Sequence, residues 1–440
     1  MSRPIVAVVG RPNVGKSTLF NALAGERISI VKDTPGITRD RIYADVTWLN
    51  YNFILIDTGG IEPESKDLIL SSMREQAQIA IDTADVIIFV CDVKTGLQDA
   101  DAGVASMLRK SKKPVVLCVN KVDNFEKQQA DVFEFYNLGI GEPFAVSAVG
   151  MLGFGELLDK VVSYFPEDTE SPEDEDIPKV AVIGKPNTGK SSLINKLLGE
   201  NRLIVSDIAG TTRDAVDTRV KFGEKEYIFI DTAGLRRKNK IKDELEHFMI
   251  VRTVGAVERA DIAVLVIDAK EGVTEQDAKI AGIAHDRGKA VVIAVNKWDA
   301  VEKDDKTIYK FTENVRNILS FMPYAEIVYI SALTGQRLNK LFETIDIVRE
   351  SQDRRVGTGA LNEILAEAVA MQQPPNDKGR FLKLYYITQV ANRPPTFVIF
   401  VNDKELAHFS YIRYIENQVR ETFGFKGTPL KFIVRERKGE

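Results

Sequence analysis

Two stretches of this 440-residue chain repeat one another: VAVVGRPNVGKSTLFNALAGE, Val6 to Glu26, and VAVIGKPNTGKSSLINKLLGE, Val180 to Glu200. Each joins a short β-branched apolar run to a glycine-bearing turn and then to a helical pattern. A run apolar on both faces suits a parallel strand covered by helices on each side. The repeat keeps register: Lys16 and Lys190, Thr38 and Thr212, and Asp57 and Asp231 are each separated by 174 positions. The offset grows to 176 for Asn120 and Asn296 and to 184 for Ser147 and Ser331, so insertions accumulate only late in the unit. A period this long is a duplicated domain and no solenoid.

Further apolar runs support the same architecture. Phe53–Ile56, Val86–Val90 and Val115–Val119 in the first half, and Tyr227–Ile230, Ile262–Ile267 and Val291–Val295 in the second, predict strands separated by helices. The expected fold class is α/β: two tandem doubly wound, mostly parallel units, followed by a small α+β domain. FPEDTESPEDEDIP, Phe165 to Pro178, has seven acidic residues, no basic one and three prolines, and predicts an extended, self-repelling linker. SQDRRVGTGA, Ser351 to Ala360, marks a second boundary. The expected division is 1–165, a linker 166–178, then 179–350 and 351–440.

Composition narrows the class. Hydrophobic residues at 44% and charged residues at 28% are globular values. No run approaches the length of a membrane span, and MSRPIVAVVG is too short for a signal-peptide core, so a cytoplasmic protein is expected. Cys91 and Cys118 sit inside apolar runs and read as reduced core thiols, while His247, His285 and His408 are scattered. The net charge of −5 conceals a division: from Asp353 onward 14 Lys and Arg face 10 Asp and Glu, leaving the C-terminal part basic. A solvated mixed surface and a nucleic-acid footprint fit that modest surplus equally.

The repeated turn is suited to anion binding. GRPNVGKS and GKPNTGKS fit Gly, any four residues, Gly, Lys, Ser or Thr, in the confirming strand-to-helix context. Gly10, Gly15, Gly184 and Gly189 let backbone N–H groups turn inward, with Asn13, Val14 and Thr18, and Asn187, Thr188 and Ser192, completing the loops. Lys16 and Lys190 are expected to neutralise β- and γ-phosphates and to contribute to catalysis, and the hydroxyls of Ser17 and Ser191 to ligate Mg²⁺. Asp57 in ILIDTGG and Asp231 in IFIDTAG end apolar strands, where a carboxylate can hold Mg²⁺ through water, and Gly60 and Gly234 offer N–H groups to a γ-phosphate. Thr38 and Thr212 lie in intervening polar loops, as catalytic switches closing on Mg²⁺ would.

Base choice falls to NKVD, Asn120–Asp123 with Lys121, and NKWD, Asn296–Asp299 with Lys297. A carboxylate in the ring plane accepts from N1–H and N2–H₂ of guanine, which adenine cannot offer. Asp123 and Asp299 thus select GTP, and an unpaired buried acceptor can cost on the order of 10⁴-fold in discrimination. Ser147-Ala148 and Ser331-Ala332 are expected to supply backbone donors to the guanine carbonyl.

These elements, in one order twice, resemble the P-loop GTPases of the translation-factor-related class. The tandem arrangement is similar to that of the bacterial Der (EngA) GTPases, which have two G domains and a C-terminal KH-like domain, and the resemblance covers nearly the whole chain. It implies a cytoplasmic, ribosome-associated GTPase acting as a monomer in maturation of the large ribosomal subunit, docking on ribosomal RNA in a nucleotide-dependent arrangement. GTP or GDP, Mg²⁺ and K⁺ are the implied cofactors, with Asn13 and Asn187 as K⁺ ligands; a polar turn residue after Pro12 or Pro186 is the alternative. Ile61 and Leu235 stand where Ras-like proteins place the Gln that orients water, so unaided hydrolysis is expected to be slow.

RRKNKIK, Arg236 to Lys242, puts five basic residues in the second switch, for RNA contact or as a solvated loop. Beyond Gly359 the pattern predicts helix 360–371, strand 380–390, strand 396–401, helix 410–423 and strand 430–435, an order that suits the KH-like domain. GFKG, Gly424–Gly427, matches the RNA clamp of KH domains, but Pro429 and a strand follow at once, so a helix C-cap turn is expected instead. RNA contact through its lysines and arginines and a purely structural role both remain open for this domain. Alternatives to a GTP-hydrolysing switch are an RNA-binding scaffold with structural GTP and an enzyme acting on a small substrate; no further acid/base or nucleophile constellation supports the last.

Overall fold

The computed structural model describes residues 3–25, 42–59, 66–165, 176–199, 203–206, 217–230, 246–302, 304, 306–374, 376–377 and 380–437. The expectations for Thr38, Gly60, Ile61, Thr212, Asp231, Gly234, Leu235, residues 236–242 and linker residues 166–175 lie outside them. Two compact units result, Met1–Ser171 with Ile241–Glu258, and Pro172–Lys240 with Arg259–Glu440.

The first unit carries a six-stranded sheet of β1 (Ile5–Gly10), β2 (Tyr43–Trp48), β3 (Tyr51–Asp57), β4 (Val86–Asp92), β5 (Val115–Asn120) and β6 (Pro143–Ala145), ordered β2-β3-β1-β4-β5-β6. All neighbours are parallel except the hairpin β2/β3. Every residue of β1 and β4 is buried, as strands covered on both faces must be. The helix Phe154–Val162 shows how the layers close: Phe154, Leu157, Leu158, Val161 and Val162 fall on one face at helical spacing and are buried. Each such side chain contributes about 1.5–3 kcal/mol relative to exposure. The sequence did not signal β2, because a half-buried edge strand presents no continuous apolar run.

The second unit repeats this plan with one more strand: β7 (Lys179–Ile183), β8 (Leu203–Ser206), β9 (Thr218–Phe222), β10 (Lys225–Ile230), β11 (Ile262–Asp268), β12 (Ala290–Asn296) and β13 (Glu326–Tyr329), ordered β13-β12-β11-β7-β10-β9-β8. The antiparallel edge β8-β9-β10 is the addition to the mostly parallel expectation. Helix Leu338–Asp353 covers one face through Phe342, which stacks on Phe222 at 4.3 Å and touches Tyr227 at 5.0 Å.

The C-terminal part has the expected helix-strand-strand-helix-strand order, with one difference. The strand anticipated over 380–390 is broken: β14 (Asn376–Asp377) pairs with β15 (Arg380–Phe381), and β16 (Leu384–Asn392) begins after Leu382, which turns into the core while the Lys383 N–H donates to Asn402 Oδ1 at 2.7 Å. β16 pairs antiparallel with β17 (Pro395–Val401), which pairs parallel with β18 (Lys431–Glu436). Helices Thr358–Met371 and Phe409–Phe423 cover this sheet.

GFKG does not form an open clamp. Gly424 caps helix Phe409–Phe423 at φ 95°, its N–H donating to Arg420 O, and Phe425 is fully buried. Gly427 N–H donates to Tyr324 O at 2.9 Å, and Gly427 O accepts from Val291 N–H at 2.7 Å. The turn therefore extends the hydrogen bonding of β12 and fixes the C-terminal sheet to the second repeat. The Arg420 guanidinium lies 5.2 Å from the Tyr324 ring centroid and also donates to Phe425 O and Thr428 O.

Candidate functional site

In each repeat the glycine-bearing turn leaves a central strand where successive crossovers depart to opposite sides, the usual position for a ligand in an open α/β sheet. Asn13 (φ 63°) and Gly15 (φ 94°) curl the first loop, and helix Lys16–Leu23 begins at once. Asn187 (φ 64°) and Gly189 (φ 95°) do the same before helix Lys190–Gly199. Gly15 and Gly189 are obligatory on two grounds: the left-handed backbone, and a Cβ that would stand 2.4 Å from Asn120 Nδ2 or 2.3 Å from Asn296 Nδ2. Val14 and Thr188 are buried beneath the loops, whereas Thr18 and Ser192 point to the surface of their helices.

The two loop lysines are almost buried, Lys16 at 6% and Lys190 at 7% exposure. Lys16 Nζ donates to Arg11 O at 2.7 Å; Lys190 Nζ donates to Gly184 O at 2.6 Å and to Lys185 O at 2.5 Å. Each ammonium thus bonds carbonyl groups of its own loop. Ser17 Oγ donates to Asp57 Oδ2 at 2.8 Å, and Gly59 N–H to Asp57 Oδ1 at 2.8 Å. A hydroxyl and a carboxylate converging beside an anion nest are hard oxygen donors of the kind Mg²⁺ takes. Ser191 holds the corresponding place as the second residue of its helix; its acidic counterpart lies outside the described residues.

The asparagine of each NKxD motif splints the site. Asn120 Nδ2 donates to Val14 O at 2.9 Å and its Oδ1 accepts from Ala148 N–H at 3.0 Å; Asn296 bonds Thr188 O at 2.8 Å and Ala332 N–H at 2.8 Å. Three motifs distant in sequence are tied by one side chain, twice. The Ala148 and Ala332 N–H groups expected to face a base carbonyl are thus engaged by these amides. Ser147 Oγ accepts from Gly150 N–H at 3.2 Å, and Ser331 Oγ from Thr334 N–H at 3.1 Å, shaping the same turns. Asp123 is exposed and pairs with Lys94 Nζ at 2.7 Å, which holds its carboxyl below the usual range. Asp299 lies in the short helix Trp298–Ala300.

Asp92 and Asp268 were missed by sequence reasoning. Lys121 Nζ donates to Asn13 O at 2.6 Å and to Asp92 Oδ2 at 2.7 Å; Lys297 Nζ donates to Asn187 O at 2.8 Å and to Asp268 Oδ2 at 2.6 Å. Burial works against the Asp268 carboxylate, yet its bonds to Lys297 and to the Lys270 N–H hold it below the usual range. The available signal was the offset: both aspartates end apolar strands 176 positions apart, as Asn120 and Asn296 do. Cys91 and Cys118 are buried free thiols, the latter pushed up to about 12 by burial. Among the described residues no His, Cys, Asp and Glu cluster could hold a metal, and no helix is long and apolar enough to cross a membrane.

Comparison with known proteins agrees with this geometry. Residues 5–121 and 179–297 match the family model described as 50S ribosome-binding GTPase, and residues 355–435 match the KH-domain-like C-terminal domain of EngA bacterial GTPase enzymes. The chain is 72% identical to GTPase Der of Agathobacter rectalis and 70% identical to that of Lachnospira eligens, each over the whole of this chain and 99% of the relative. GTPase Der of Ruminiclostridium cellulolyticum is 59% identical over the full length of both. The chain belongs to the Der family of GTPases. It is accordingly a GTP-hydrolysing enzyme with two G domains and a KH-like domain. In this Der chain the glycine-bearing turns and the NKxD motifs are joined directly, through Asn120 and Lys121 in one repeat and Asn296 and Lys297 in the other.

Proposed function

We propose that this GTPase acts in maturation of the large ribosomal subunit, as a cytoplasmic monomer whose two G domains switch its RNA-docking surface with nucleotide state. The observation that carries the reading is the duplicated, internally splinted nucleotide site within a family described as binding the 50S ribosome. Domain limits at 1–165, 179–350 and 351–440 belong to the same proposal.

The residue roles follow from chemistry. The loops around Asn13–Lys16 and Asn187–Lys190 direct N–H groups at phosphate oxygens, and the two lysines stabilise the charge that builds on the leaving oxygen. Ser17 with Asp57 and Thr38, and Ser191 with Asp231 and Thr212, would hold Mg²⁺, which would supply positive charge to the phosphates. Gly60 and Gly234 donate to the γ-phosphate. Asp123 and Asp299 accept from guanine. Ile61 and Leu235 cannot orient water, so hydrolysis is slow unaided. Asn13 and Asn187, whose side-chain amides have no hydrogen-bond partner among the described residues, are the proposed K⁺ ligands.

Two measurements test this. GTP turnover should be clearly faster in K⁺ than in Na⁺, and equal rates would remove the K⁺ ligands. Sedimentation with ribosomal subunits should favour the large subunit and should depend on whether GDP or a non-hydrolysable GTP analogue is present. Binding indifferent to nucleotide would leave an RNA-binding scaffold in place of a switch.

A further inference from the structure

The second residue of each phosphate loop is a cation, Arg11 in one and Lys185 in the other, and each is led to an aspartate on the crossover helix that follows β4 or β11. Arg11 Nε lies 2.7 Å from Asp101 Oδ1, and Arg11 Nη2 donates to Thr95 Oγ1 at 2.9 Å. Lys185 Nζ lies 3.5 Å from Asp277 Oδ2, 3.0 Å from Glu271 Oε2 and 3.4 Å from Thr274 Oγ1. Asp101 and Asp277 are both fully buried. Each is the third residue of its helix, Asp99–Ser111 or Glu275–Asp286, where it also accepts from the backbone N–H at the helix start, Gln98 or Thr274. Helix capping explains the aspartate but not the cation drawn to it. The backbone of that same cation accepts the loop lysine: Arg11 O from Lys16 Nζ, and Lys185 O from Lys190 Nζ.

We propose that Asp101 and Asp277 are positioning residues of the two phosphate sites. Each buried carboxylate anchors the side chain of Arg11 or Lys185, and the anchored residue fixes the backbone that carries Asn13, Lys16 and their counterparts. The device is built twice with different cations, so the requirement is a positive charge at that position and not a particular side chain. The sites also differ: Arg11 makes a 2.7 Å contact, while Lys185 divides itself between Asp277 and the exposed Glu271, leaving Asp277 Oδ1 buried without a hydrogen-bond partner. The first loop is therefore the more tightly held.

The inference rests on these loops being the phosphate sites, so the test includes a readout independent of nucleotide. In the full-length protein, Asp101→Asn and Arg11→Met should each speed hydrogen exchange of the amides of residue 11 and residues 13–16 by about ten-fold or more, the factor that losing about 1.4 kcal/mol of local stability gives. Exchange in residues 185–190 should stay unchanged, serving as an internal reference. GTP affinity at the first site should fall by a similar factor, read in an Asp299→Asn background that removes guanine binding from the second. Arg11→Lys, which installs the cation of the second site, should restore most of both. Should Asp101→Asn unfold the first unit, Arg11→Met alone decides the matter, since it leaves the helix cap intact. Unchanged exchange in Arg11→Met, or Arg11→Lys as damaging as Arg11→Met, would overturn the proposal. Faster exchange with unchanged GTP affinity would sink the phosphate-site reading of the loop and leave the anchoring itself standing.

Discussion

Asn120 Nδ2 lies 2.9 Å from the carbonyl oxygen of Val14, so the NKVD motif, proposed to read the base, also supports the loop proposed to bind phosphate. Truncating Asn120 strands that buried oxygen together with the Ala148 N–H, at about 1–3 kcal/mol each. Asn120→Ala should therefore weaken pyrophosphate as well as GTP at the first site, as measured by calorimetry. Loss of GTP with pyrophosphate binding intact would confine Asn120 to base recognition. Asn296→Ala should do the same at the second site through Thr188 O and Ala332 N–H.

Asp123 offers two acceptors where guanine offers two donors. Asp123→Asn replaces one acceptor by a donor, which matches the 2-carbonyl of xanthine. GTP affinity at the first site should fall by on the order of 10⁴-fold and XTP should bind in its place. Lys94 competes for the same carboxylate at 2.7 Å. Lys94→Ala should tighten GTP modestly at low salt, with the gain vanishing at high salt, because exposed pairs are screened. Titrations at two ionic strengths check both statements.

Gly427 holds the KH-like domain against the second G repeat in a left-handed conformation, φ 68°, and a Cβ there would stand 2.1 Å from Val348 Cγ2. Gly427→Ala should destabilise the second unit by about 1–3 kcal/mol. Faster exchange of the Val291 amide, which donates to Gly427 O, would locate the damage. Unaltered urea midpoint and exchange would show that the turn is dispensable for docking.

His285 sits beneath that junction, its Nδ1 2.8 Å from Tyr324 Oη, and burial lowers its pKa, with Arg413 lowering it further and Glu416 opposing. Because the folded-state value is depressed, the unfolded chain binds the extra proton first. Stability of the second unit should hold above pH 7 and fall as pH drops through about 6.5 towards the folded-state value. His285→Gln should flatten that step. The check is thermal unfolding followed by Trp298 fluorescence in a Trp48→Phe background, since these are the chain's two tryptophans.

Legibility varied with the kind of interaction. Strands such as β1 and β11 were plain, since burial on both faces demands unbroken apolar runs. Edge strand β2 and inner strand β9 were not, because half-buried residues break any continuous apolar run, and β8 is only four residues long. The cap at Gly424 could be anticipated from Pro429 and the strand behind it, but the role of Gly427 depends on Tyr324 and Val291, more than 100 positions away. Asp92 and Asp268 carried the right offset yet looked like ordinary strand ends until Lys121 and Lys297 were seen to reach them.

The duplicated glycine-bearing turns, the NKxD motifs and the order of elements were already set by local sequence, because each depends on neighbours within a few positions: a turn that needs glycine, a strand that needs alternation or continuity, a cap that needs a short side chain. Which distant groups share a charge or a hydrogen bond became visible only once the chain was folded. Asn120 with Val14 and Arg11 with Asp101 meet because crossovers return strand ends to one edge of a sheet, and Gly427 meets Val291 because the C-terminal domain packs on the second repeat. Local spacing carries no record of such meetings, since their energy lies in contacts made after the chain has folded back on itself.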